Sequence, residues 1–100
     1  MLFRSTELTL SYNRISDISA LSGLTNLESL YLGRNKIRNI SALSGLTKLT
    51  WLNLNDNLIS DISALTKLTN MTRLLLGGNA ISEQQIKDLK SKLPRCKVSQ

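Results

Sequence analysis

The sequence predicts an α/β solenoid: a stack of short coils, one short strand per coil, the strands side by side in parallel, with a helix over the C-terminal end. Three observations carry that prediction. The 100-residue chain superimposes on itself at a shift of 22 residues, which aligns Asn13, Asn35, Asn57 and Asn79 behind the pairs Leu8/Leu10, Leu30/Leu32, Leu52/Leu54 and Leu74/Leu76. Within each unit L-x-L has the two-residue period of a strand, and the following x-x-N-x-I breaks it. After Ile81 the repeat yields to apolar residues at helical spacing, Ile86, Leu89 and Leu93. Leu and Ile columns then share an interior that no single unit closes alone.

The units follow in order as about 2–23, 24–45, 46–67 and 68–81, with a cap over 82–100, all within one domain. The two central units agree at 11 of 22 positions, ending in the same Ile-Ser-Ala-Leu. The segment after each strand, such as 38–45, is too short for a full helix and return. It suits a tight, irregular arc with one 3-10-like turn. In the cap, Ser82 is a good N-cap and Gln85 stands three residues on, so a helix runs over about 83–93 until Pro94 stops it. Lys97 and Val98 then return along the stack.

This pattern resembles the leucine-rich repeat family, in the 22-residue form of bacterial internalins and of the eukaryotic protein-phosphatase regulatory subunit. The signature L-x-x-L-x-L-x-x-N-x-I reads in full at 27–37 and 49–59, and with Met71 in its first position at 71–81. In the first unit Ser5 replaces the first leucine, which points to a weak or frayed N-terminal coil. The resemblance implies a curved solenoid with its parallel sheet on the concave side, used to hold other proteins. It also implies that the helix and the Leu93-Pro94-Arg95-Cys96-Lys97-Val98 tail cover the last coil, with Cys96 as a packing residue rather than a reactive thiol.

Composition narrows the chemistry. Histidine is absent and Cys96 is the one cysteine, which excludes an internal disulfide, a histidine-based triad and the usual zinc clusters. No phosphate-binding or dinucleotide-binding glycine motif occurs, and the serines fall in repeated slots with no base at hand. No enzyme, cofactor or metal is expected. No apolar run approaches a membrane span and no secretory signal opens the chain, so the chain as given points to a reducing, cytoplasmic setting. Lys and Arg exceed Asp and Glu by 13 to 7, and Lys87, Lys90, Lys92, Arg95 and Lys97 gather in the cap. That cluster lacks interleaved aromatics and nucleic-acid motifs, so it reads as a solvated helix face, with steering toward an acidic protein preferred over nucleic-acid binding.

Inward leucines force their neighbours outward. The outward columns are Glu7, Ser29, Trp51 and Arg73; Thr9, Tyr31, Asn53 and Leu75; Ser11, Gly33, Asn55 and Gly77; and, past the strand, Tyr12, Arg34, Asp56 and Gly78. The inward columns are uniform and these are not. The four asparagines belong to the uniform set, and their amides suit the backbone groups of a sharp turn better than a ligand. Among the variable residues, Trp, Tyr and Arg dominate interface energetics. Trp51, Tyr31, Arg73, Asn53, Leu75, Arg34, Tyr12 and Asp56 are therefore the candidate partner-binding residues, with mutual packing across the strands as the competing role. Leu75, Gly77 and Gly78 make a side-chain-poor patch suited to an inserted partner segment. The other candidate contact is the N-terminal edge, where no cap precedes the first strand: Leu2, Phe3, Leu8, Tyr12 and Ile15 would meet another copy. Two functions follow, a protein-protein interaction module using the concave sheet, or an assembly unit (fragment, engineered scaffold or self-associating solenoid).

Overall fold

The computed structural model describes residues 6–100. Five strands of three residues each, β1 (Glu7–Thr9), β2 (Ser29–Tyr31), β3 (Trp51–Asn53), β4 (Arg73–Leu75) and β5 (Lys97–Ser99), form one parallel sheet in sequence order. Each strand begins one residue before the predicted L-x-L. The register steps by the repeat length, pairing Leu8 with Leu30, Leu30 with Leu52 and Leu52 with Leu74. Three 3-10 turns, Ser19–Gly23, Ser41–Leu43 and Ser63–Leu65, occupy the opposite side of the coils. The result is a leucine-rich repeat arc with a concave sheet, irregular convex segments and a C-terminal helix.

The core is a stack of leucine and isoleucine layers. Leu30, Leu32, Ile37, Leu43, Leu46, Leu49, Leu52, Leu54 and Ile59 are fully enclosed. Each 3-10 turn opens on a repeated polar residue: the carboxylates of Asp17 and Asp61 and the amide oxygen of Asn39 accept the N–H of Ser19, Ser63 and Ser41, each at 2.9 Å. These residues belong to the turns of the scaffold.

The asparagine ladder satisfies the turn that follows each strand. Asn57 Oδ1 accepts the Ile37 N–H at 3.1 Å, and its Nδ2 donates to the carbonyls of Leu32, Leu54 and Asn55. Asn35 and Asn79 repeat the pattern one coil before and one coil after. No buried side-chain nitrogen or oxygen lacks a partner among the described residues.

Helix α1 (Glu83–Lys92) ends one residue short of the predicted stop, with Leu93 as its C-cap. Ser82 accepts the Gln85 N–H, as expected of the N-cap. The Gln85 side chain turns away to the third coil, where Oε1 accepts the Ile62 N–H at 3.0 Å and Nε2 donates to the Ser60 carbonyl. Ile86, Leu89 and Leu93 close the core, and β5 adds Val98 beside Leu74. Cys96 is half-buried against that core. Burial pushes its thiol pKa up, with nearby Arg73 pulling the other way.

Candidate protein-binding face

The register places the first outward column as Glu7, Ser29, Trp51, Arg73 and Lys97, and the second as Thr9, Tyr31, Asn53, Leu75 and Ser99. Neighbours within a column are one strand spacing apart, about 4.8 Å. Trp51 is 39% exposed although its strand neighbour Leu52 is fully enclosed. Tyr31, Asn53, Leu75 and Arg73 are half-buried around it. Two of them are fixed: Asn53 Oδ1 accepts the Asn55 N–H at 2.9 Å, and Arg73 Nη1 donates to Ser99 Oγ at 2.8 Å.

The column past the strands has a backbone feature that its side chains hide. Tyr12, Arg34, Asp56 and Gly78 all have positive φ, between 57° and 72°. Glycine enters this region without strain and other residues do so at a disadvantage, yet three of the four positions carry large or charged side chains. These touch in series: the Arg34 guanidinium lies 5.1 Å from the Tyr12 ring centre, and its Nε lies 3.7 Å from Asp56 Oδ2. Both members of that ion pair are more than half exposed, so it adds little stability and chiefly orients the row.

Gly77 and Gly78, in the third and fourth columns, lie against side chains of the preceding coil. The Gly77 N–H donates to Asn55 Oδ1 at 2.7 Å, and a Cβ on Gly78 would stand 2.0 Å from Asp56 Oδ1. The glycines make room for the neighbouring coil's Asn55 and Asp56 side chains, while Gly78 itself stays exposed. Sequence reasoning also left out Lys97 and Ser99 as members of the face. Their signal was present, since a returning tail that sets Val98 beside Leu74 must set Lys97 beside Arg73.

At the N-terminal side, Leu8, Leu10 and Ile15 are half-buried, Leu24 is 42% exposed and Tyr12 is 72% exposed. Leu2 and Phe3 lie outside the described residues. Among the described residues no cluster of three or more Cys, Asp and Glu could hold a metal, and no helix is long and apolar enough to cross a membrane.

Repeated coils, one parallel strand each, an asparagine ladder and a varied outward face define a solenoid of leucine-rich repeats. The chain belongs to the leucine-rich repeat family, whose two-copy model matches residues 6–45 and 47–95. Among solved structures it is similar to internalin C2 of Listeria monocytogenes, at 39% identity and a TM-score of 0.84, over 91% of this chain and 39% of that one. It also resembles an internalin (InlF) of the same species, at 28% identity and a TM-score of 0.65, over 85% of this chain and 31% of that one. A leucine-rich repeat protein of Leptospira interrogans shares the fold at 23% identity and a TM-score of 0.69, over 95% of this chain and 31% of that one. The chain thus spans well under half the length of each of these structures. Comparison with curated proteins gives no match.

Proposed function

We propose that this solenoid is a non-catalytic protein-interaction module that holds a partner on the concave sheet, with Trp51 as the central anchor. The observation that carries the reading is the contrast between neighbouring columns. Inward positions repeat as leucine from coil to coil, while the outward column runs Glu7, Ser29, Trp51, Arg73, Lys97. Packing dictates the first set and leaves the second free, and the free set holds the aromatic and arginine residues that dominate interfaces. The coils and their cap share one continuous core, so binding orders few of the module's own groups. Tyr31, Asn53 and Leu75 surround the anchor, and Tyr12, Arg34 and Asp56 form its rim.

The test is selection of ligands from a random peptide library displayed against the immobilised protein, followed by binding to Trp51→Ala. Trp51 is exposed on the outward side of β3 and is not part of the enclosed core, so the variant keeps its fold by circular dichroism and loses at least about tenfold in affinity, as a central hot spot does. Selected ligands that bind Trp51→Ala undiminished would refute the assignment.

A second reading rests on one observation: Leu8, Leu10 and Ile15 are half-buried where their counterparts Leu30, Leu32 and Ile37 are fully enclosed. In that reading this end meets another copy. Light scattering across a concentration series then gives a dimer that Leu8→Lys abolishes; a monomer throughout removes it.

A further inference from the structure

We infer that the occupant of the concave face is an acidic, extended segment of a partner protein, with carboxylates facing Arg73 and Lys97 and an apolar side chain seated on Trp51 and Leu75. The inference rests on the protein-binding reading above and specifies its partner.

Charge is graded along the first outward column. It begins at Glu7, passes the neutral Ser29 and Trp51, and ends on two adjacent cations, Arg73 and Lys97. The chain uses its arginines differently. Arg34 has Asp56 on one side and the Tyr12 ring on the other, so its charge is answered within the fold. Among the described residues Arg73 has no carboxylate within ion-pair distance. One of its N–H groups is fixed on the Ser99 hydroxyl, which orients the half-buried guanidinium and leaves its other donors for an incoming acceptor. A held guanidinium with uncommitted donors is matched by a carboxylate, which can accept two parallel bonds from it.

The wider field agrees. From Arg73 to the C-terminus six basic residues (Arg73, Lys87, Lys90, Lys92, Arg95, Lys97) oppose two acidic ones (Glu83, Asp88), 6 − 2 = +4 of the chain's +6. An acidic segment is drawn to that end by long-range attraction before contact. Trp51 and Leu75 then supply apolar surface beside the cations. A protein segment is favoured over nucleic acid because the aromatics of the face do not form a row of stacking platforms: Tyr31 and Trp51 stand in different columns, the Tyr12 ring already carries the Arg34 guanidinium, and Asp56 stands at the rim.

The test reads the composition of the peptides selected on the wild-type chain. The expected result is enrichment of sequences with net negative charge and at least one large apolar residue. Their affinity falls about tenfold or more in Arg73→Gln and in Lys97→Glu, and weakens steeply between low and high salt. Lys97→Glu changes an exposed side chain on an edge strand, so it remains informative should Arg73→Gln perturb the cap. Selected peptides that need Trp51 but are neutral or basic would overturn the acidic assignment and leave the binding module standing. A set with no dependence on Trp51 would overturn both. Displacement of the acidic peptides by an equimolar single-stranded oligothymidine would reassign the face to nucleic acid.

Discussion

Replacing Asn57 by leucine tests the ladder that holds successive coils together. Leucine keeps nearly the same shape while removing all four side-chain hydrogen bonds. Three of the acceptors keep a second partner: the Leu32 carbonyl still receives Asn35 Nδ2, the Leu54 carbonyl Asn79 Nδ2, and the Asn55 carbonyl the Arg34 N–H, each at 2.9 Å. The Ile37 N–H is left with none, inside the protein, at about 1 to 3 kcal/mol. Loss of the three shared bonds adds about 1 to 2 kcal/mol in all, for a total of about 2 to 5 kcal/mol. Against the ~5 to 15 kcal/mol that ordinarily holds a domain together, this is a large fraction. At a urea slope of about 1 kcal/mol/M the midpoint drops by roughly 2 M or more. Asn13→Leu is the internal control. Asn13 is exposed and, among the described residues, its side chain donates only to the Leu10 and Ser11 carbonyls, while its backbone N–H bond to Asn35 survives the change, so the loss stays within about 0.5 kcal/mol. Equal shifts for the two variants, or a loss at Asn57 below about 0.5 kcal/mol, would refute the account of the ladder.

Other consequences follow from single contacts. Gly78→Ala meets both a left-handed backbone and the Asp56 carboxylate, and destabilises by about 1 to 3 kcal/mol by thermal denaturation; an Asp56→Ala background removes the carboxylate clash and makes the loss smaller, leaving the backbone part, about 1 kcal/mol, and the close approach to the residue 56 Cα. Gln85→Ala strips the Ile62 N–H of its acceptor and loosens the cap, so hydrogen exchange rises selectively in α1 and at Ile62, with a loss of about 1 to 3 kcal/mol. Hydrogen bonds from the Ser19 and Ser63 N–H and hydroxyl groups hold the Asp17 and Asp61 carboxyls below the usual 3.8. A folded-state value below the unfolded one gives stabilisation that is present above 3.8 and vanishes as pH falls through the lower folded value. Asp17→Asn with Asp61→Asn therefore flattens the acid limb of the urea midpoint against pH and leaves neutral-pH stability nearly unchanged, because Asn39 already makes the same bond.

What the sequence made legible was whatever the period dictates. Leucine alternation fixed which residues face inward, and with that the register from Leu8 through Leu74. Ser82, the Ile86/Leu89/Leu93 spacing and Pro94 marked the cap helix to within a residue. Features hidden from the sequence depend on contacts between coils. Gln85 satisfies the capping-box pattern, yet its amide goes to Ser60 and Ile62 because the third coil presents unpaired backbone groups there. Gly77 and Gly78 lie against Asn55 and Asp56 of the preceding coil, a contact that spacing alone does not reveal. Leu24 is exposed although its equivalents Leu46 and Leu68 are enclosed; its column neighbour Leu2 lies outside the described residues. The positive-φ row had one visible sign, Gly78 in the same column as Tyr12, Arg34 and Asp56.

The central claim is that ligands bind the concave sheet around Trp51, and amide chemical-shift mapping with a library-selected peptide tests it most directly. The account predicts the largest changes at the Trp51 indole and the amides of β2, β3 and β4, with the 3-10 turns undisturbed. Changes centred on Ser19–Gly23, Ser41–Leu43 and Ser63–Leu65, or on Leu8 and Leu24, with Trp51 silent, would contradict it.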